Sequence, residues 1–150
     1  MNRYMKLAIA EARRGITQGH GGPFGAVIVR DGEVIAKGHN EVLRRKDATC
    51  HGEVQAIRAA SKKLGTHDLS GCEIYTTGEP CPMCLGAIMW ANIEKVYYGC
   101  NTKDTEIIGF RDEEFYGRES VRGEFLLELD REACLALYEE YAAIEDKQNY

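Results

Sequence analysis

The chain has 150 residues, 44% of them hydrophobic, and a formal charge of −5 at pH 7 from 19 basic and 24 acidic side chains. That is the length of one domain, with enough apolar material for a core. The acidic balance argues against a nucleic-acid partner, which wants a basic face, and no stretch reaches the roughly 18 apolar residues of a membrane span.

Residues 2–14 carry Tyr4, Leu7, Ala8 and Ala12 among charges, which predicts an amphipathic helix. A glycine-rich loop over 15–22 follows, and it is not a phosphate loop because no Gly-Lys-Ser/Thr comes after it. Residues 24–29 form a first strand, Asp31-Gly32 a hairpin turn, and residues 33–38 the return strand. A polar crossover with Arg44, Arg45 and Lys46 reads as a solvated loop. From His51 the apolar positions Val54, Ile57, Ala60 and Leu64 keep a helical period, and Gly65 stops it. Residues 72–77 are β-branched and aromatic, a strand that runs into a helix opened by Pro80 and Pro82. Residues 96–99 are a short buried strand, and 125–129 a last one. Asp130 caps a final helix from Arg131 to about Ile144, with Leu135, Leu137 and Tyr138 turned inward. Helices alternating with strands predict parallel pairing and an α/β sheet covered on both faces. There is no internal repeat and no linker, so residues 1–150 read as a single domain.

Six cysteines in a chain without a signal-peptide pattern at its start predict a cytoplasmic protein with reduced thiols. Cys50, Cys72, Cys100 and Cys134 read as small buried apolar residues. His20, His39 and His67 read as surface or loop residues.

Two short segments carry the chemistry: Cys50-His51-Gly52-Glu53 and Glu79-Pro80-Cys81-Pro82-Met83-Cys84. Cys81 and Cys84 are three apart, so on a helix they share a face and can close on one ion. His51 and Glu53 are two apart and converge only at a helix start. Zinc takes nitrogen and sulfur ligands, and a catalytic zinc keeps one position for water. One imidazole, two thiolates and a spare carboxylate are the minimum for making a nucleophile of water near neutral pH. His51, Cys81 and Cys84 are therefore the predicted zinc ligands, one ion per subunit, and Glu53 the predicted proton carrier. H-x-E followed by P-C-x-x-C is the established signature of zinc-dependent nucleobase deaminases. The bland alternative is a zinc-stapled binding module, with Cys50 as fourth ligand.

Over nearly its whole length the chain resembles the cytidine-deaminase superfamily, and within it the small bacterial guanine deaminases. The resemblance is carried by residues 21–29, the Gly38-x-Asn40 turn, both metal segments with the run after Met83, Gly109-Phe110-x-Asp112 and the aromatic C-terminus. It implies a three-layer α/β/α fold with a mixed five-stranded sheet, and conversion of guanine to xanthine and ammonia. It implies that Asn40 bonds the purine, Phe24 stacks on it and Gly52 lies against it. Asp112 would contact the guanine edge or assist proton delivery. It further implies a homodimer in which the C-terminal segment crosses over and Tyr150 caps the neighbour's pocket. Two departures, Gly52 where alanine is usual and Ala48-Thr49 for Pro-Thr, resemble fungal cytosine deaminase and bear on the base, not on the chemistry. Cytosine, isocytosine or a modified purine are the rival substrates; a tRNA adenosine is disfavoured by the acidic tail.

Overall fold

The computed structural model describes residues 1–117 and 127–148. Two compact units divide the chain, Met1–Tyr116 and Gly117–Tyr150. The first contains α1 (Arg3–Thr17), β1 (Gly25–Arg30), β2 (Glu33–His39), α2 (Val42–Arg45), α3 (Gly52–Leu64), β3 (Cys72–Gly78), α4 (Pro82–Trp90), β4 (Lys95–Cys100), α5 (Thr102–Ile107) and α6 (Asp112–Tyr116). The described part of the second contains α7 (Arg131–Ala142).

The strands lie in the order β2-β1-β3-β4. β1 and β2 are joined by Asp31 and Gly32, both at positive φ (50° and 79°), as a tight antiparallel hairpin requires. The predicted parallel pairing holds for β3 with β4 and fails for β1 with β3, which is antiparallel. The β2–α3–β3 crossover does run parallel, but β3 inserts beside β1, which the hairpin had already reversed. Among the described residues the sheet has four strands, not five. Of the predicted last strand, Phe125 and Leu126 lie outside the described residues and 127–129 are not in a strand.

Alternation along β1 builds two cores. Ala26 and Ile28 face α3 and α4, packing with Ala56, Ala60, Ile74 and Ile88. Val27 and Val29 face α1, packing with Ala8 and Tyr75. Both faces of β1 and β3 are thus covered, giving the α/β/α layering, whereas the edge strand β4, expected to be buried, is largely exposed. Fully buried isoleucines such as Ile28, Ile74 and Ile88 stabilise the fold by about 1.5–3 kcal/mol each.

Several local expectations are corrected. α1 continues through Gly15 to Thr17, because the glycine lies against a side chain from β2 and not in a turn. That side chain is His39, which is buried beside Glu11 and His20 and is no surface residue. Cys100 and Cys134 are exposed, while Cys50 and Cys72 are buried as predicted. Asp130 precedes α7 in a left-handed conformation and its side chain makes no capping bond. Leu135, Leu137 and Tyr138 are 39%, 61% and 71% exposed and do not turn inward. The short helices α2, α5 and α6 lacked a long enough apolar period to be read in advance.

Candidate active site

Two helix starts meet at one point. His51 is the N-cap of α3 and Cys81 the N-cap of α4, with Pro82 in the first turn. Glu53 and Cys84 project from those first turns. The divergence expected of residues two apart is avoided because His51 has extended backbone and Glu53 is already helical. β3 delivers Cys81 from the sheet's carboxyl end, where α/β sheets place their ligands.

The ligand atoms of His51, Cys81 and Cys84 all lie within 4.8 Å of one another. His51 Nδ1 is 3.6 Å from Cys81 Sγ, and Cys84 Sγ donates to Glu53 Oε2 at 3.4 Å. Cys50 is buried nearby, but its sulfur accepts from Arg58 Nη1 at 3.7 Å and is not one of the cluster. A nitrogen and two sulfurs in reach of one ion, with no fourth protein ligand in the group among the described residues, is the donor set of a catalytic zinc.

The charges suit that ion. The hydrogen bond from Cys84 pulls the Cys81 thiol down to about 4, helped by His51 and against burial. Cys84 is pushed up by the same bond and by burial, so it keeps its proton until a cation displaces it. The bond with Cys81 raises His51. Burial raises Glu53, a residue only 7% exposed, toward the range useful for moving protons. Burial also raises Asp112, and the Cys81 thiolate adds to it.

In front of the cluster is a cavity of about 330 Å³, within the size range of small-molecule sites. Phe24, Asn40, His51, Glu53, Cys81 and Asp112 line it together. Gly52 does not; it is buried behind, where a Cβ would stand 2.9 Å from the Phe24 carbonyl oxygen. Tyr150 lies outside the described residues. Leu43, Phe110, Arg111 and Phe115 line the cavity as well, with no role foreseen from the sequence. Phe110 packs edge-on to Phe24 at 4.8 Å, and Arg111 covers the Phe115 ring at 4.9 Å. Phe110 stood in a recognised motif without an assigned role; Phe115 gave no signal. The wall they form is tied to the cysteine loop by Tyr116, whose hydroxyl donates to the Pro80 carbonyl at 2.5 Å.

Residues 1–100 match the sequence model of the cytidine and deoxycytidylate deaminase zinc-binding region. The chain belongs to that family. The deaminase is 50% identical over 113 residues to guanine deaminase of Bacillus subtilis, covering 75% of this chain and 72% of the relative. The crystal structure of a Bacillus subtilis guanine deaminase matches with a TM-score of 0.92 at 39% identity, over 100% of this chain and 99% of the other. A structure of guanine deaminase from Nitrosomonas europaea matches with a TM-score of 0.67 at 33% identity, over 94% and 84%. A tRNA-specific adenosine deaminase of Aquifex aeolicus is 45% identical over 100 residues, covering 67% of this chain and 66% of the relative. The chain is thus a zinc-binding deaminase, and His51, Cys81 and Cys84 all fall inside the matched zinc-binding region. Among the described residues no helix is long and apolar enough to cross a membrane.

Proposed function

We propose that this deaminase converts free guanine and water to xanthine and ammonia. The observation that carries the reading is the cavity wall. Phe110, Arg111, Asp112 and Phe115 come from beyond residue 100, outside the matched zinc-binding region. The likeness to the Bacillus guanine deaminase structure extends over that wall and the whole chain, whereas the matched tRNA:A34 deaminase structure covers 65% of this chain, and the tRNA-specific adenosine deaminase sequence that matches over 131 residues is 30% identical. A cavity with flat aromatic sides also suits a planar ring better than an extended strand of RNA.

In this mechanism His51, Cys81 and Cys84 hold zinc. When bound, the ion supplies a Lewis acid that lowers the pKa of water toward about 7. Phe24 stacks on the purine and Asn40 hydrogen-bonds its edge. Glu53 takes a proton from the attacking water and gives it to the adjacent ring nitrogen as the new C–O bond forms. The ring carbon becomes tetrahedral. Glu53 then carries the second proton to the amino group, the C–N bond breaks and ammonia leaves. Asp112 faces the same space and hydrogen-bonds the guanine edge. All six cysteines are free thiols, which suits the reducing cytoplasm. Purified protein is expected to release ammonia from guanine and produce xanthine. Release confined to cytosine, isocytosine or a tRNA adenosine would overturn guanine as the substrate.

The working enzyme in this reading is a homodimer in which residues 1–150 act as one domain, with the C-terminal segment exchanged. Met89 and Trp90 are 65% and 67% exposed in the first unit, and α7 has no buried residue in the second. Such apolar surface is a liability for a monomer. A Glu53→Ala chain and a chain lacking residues 146–150 should each be inactive alone. Co-expressed, they should regain about a quarter of the wild-type activity, since half of the random pairs are mixed and each has one intact site. Mixed dimers without recovered activity would rule out exchange of the segment.

A further inference from the structure

A second cluster of titratable side chains lies next to the cavity and takes no part in the chemistry above. His39, the last residue of β2, is buried. Its Nδ1 is 3.2 Å from Glu11 Oε2 on α1, and its Nε2 is 2.8 Å from His20 Nδ1. The two rings stack, with centroids 5.1 Å apart and planes 20° apart. Gly15 makes room for this on α1, since a Cβ there would meet the His39 ring at 2.6 Å.

The row connects to the cavity through the backbone. The His20 carbonyl accepts from the amides of Leu43 (3.0 Å) and Arg44 (3.1 Å), which opens α2. Asn40 follows His39 directly, and its Oδ1 accepts from the Val42 amide at 3.1 Å. The neighbouring Gly21 leaves space for that amide group, since a Cβ there would lie 2.0 Å from Asn40 Oδ1. Gly21, Asn40, Val42 and Leu43 all line the cavity. One side of the substrate space is therefore hung on two imidazoles and a carboxylate.

We propose that Glu11, His39 and His20 are positioning residues: they hold the Asn40–Leu43 side of the cavity in register for the base, and they release it when both rings carry a proton. The argument is a count of hydrogens. Ionised Glu11 can only accept, so His39 Nδ1 donates to it. The remaining His39–His20 bond needs one N–H and one lone pair. That is satisfied when both rings are neutral or when one is charged. With both protonated, two N–H groups and two positive charges face each other at that distance, and the bond is lost.

The surrounding charges set how readily this happens. Glu11 and Arg14 face the pair from α1, Lys37 from β2, Glu41 from the segment after β2 and Arg44 from α2. Burial and Arg44 hold His20 below its ordinary value, so a charge on that ring is favoured only in acid. The alternative occupant of this place is a second metal ion, since His20, His39 and Glu41 could supply ligands. The observations disfavour it. Glu41 lies 4.0 Å from each ring nitrogen, and its oxygens are already held by Arg44 at 2.7 Å, by Arg45 at 2.6 Å and by Gln55. Those partners keep its carboxyl ionised down to about 2, committed to its own ion pairs.

The inference rests on the cavity being the substrate site, and the test separates the two: turnover by the unaltered enzyme tests the activity, and variants compared on the base it turns over test the row. His39→Phe removes both bonds. It should raise KM roughly tenfold, the scale of one or two lost hydrogen bonds, with kcat within about twofold of the parent. His20→Gln keeps a donor for His39 Nε2 and removes the second proton. Its KM at pH 7.5 should match the parent. Between pH 7.5 and 5.5 the parent's KM should climb while that of His20→Gln stays flat relative to it. Parallel pH profiles for the two proteins would overturn the proposal even if His39→Phe failed to fold. So would two zinc ions per parent chain with one lost in His20→Gln.

Discussion

Glu53→Ala is expected to lower kcat by more than the roughly 10²–10⁴-fold of a single acid–base step, with zinc content and fold retained. One carboxyl serves two proton transfers in this reading, first from water to the ring and then to the departing nitrogen, so its loss is felt twice. The geometry permits both. The residue is 7% exposed and lines the cavity. Its Oε2 is 3.4 Å from Cys84 Sγ, one of the three sulfur and nitrogen atoms that would hold the ion. Burial raises its pKa, which brings the group nearer the pH at which it must both accept and release. If Glu53 served only to favour the α3 dipole, its replacement would cost about 0.3–1 kcal/mol of stability and leave turnover alone. Steady-state kinetics with metal analysis on the same preparation decide: unchanged turnover in a zinc-loaded variant removes Glu53 from the mechanism.

The second large effect is expected at Cys84. Cys84→Ala should reduce zinc from one ion per chain to near none and take activity below detection. It should also lower the melting temperature. An ion present at a thousandfold its dissociation constant stabilises by about 4 kcal/mol, roughly 10 °C for a domain of this size. Cys84 holds its proton in the absence of a cation, whereas Cys81 is already inclined to thiolate. Zinc uptake should therefore release the Cys84 proton and weaken as pH falls. Cys134→Ala is the control, since Cys134 is exposed and distant in sequence from both metal segments. Full zinc occupancy in Cys84→Ala, measured by metal analysis after dialysis, would strike Cys84 from the ligands.

The parts that were legible beforehand share one property: each rests on signals local to its own stretch of chain. The Asp31-Gly32 hairpin, the two helix starts and the Cys81–Cys84 pair depend on local backbone geometry, and all stand where expected. The β1–β3 direction was misread because alternation of elements does not say where a strand inserts. Helices α5 and α6 were missed because six and five residues are too few to display a period. The Asn101–Asp104 capping box that starts α5 was nonetheless present as a local signal. His39 was placed at the surface because a lone histidine at a strand end carries no mark of what will cover it.

By itself, then, the sequence determined the chemistry: an N,S,S donor set for zinc and a carboxylate beside it, since ligand type and close spacing need no knowledge of the rest. Only the tertiary structure decided what that chemistry is aimed at. His51 and Cys81 are 30 positions apart, and they meet because α3 and β3 both pack on β1. The cavity wall from Phe110 to Phe115 and the row from Glu11 to His20 join elements far apart in the chain. Contacts of that kind follow from strand order and layer packing, which long-range burial selects and no short stretch encodes.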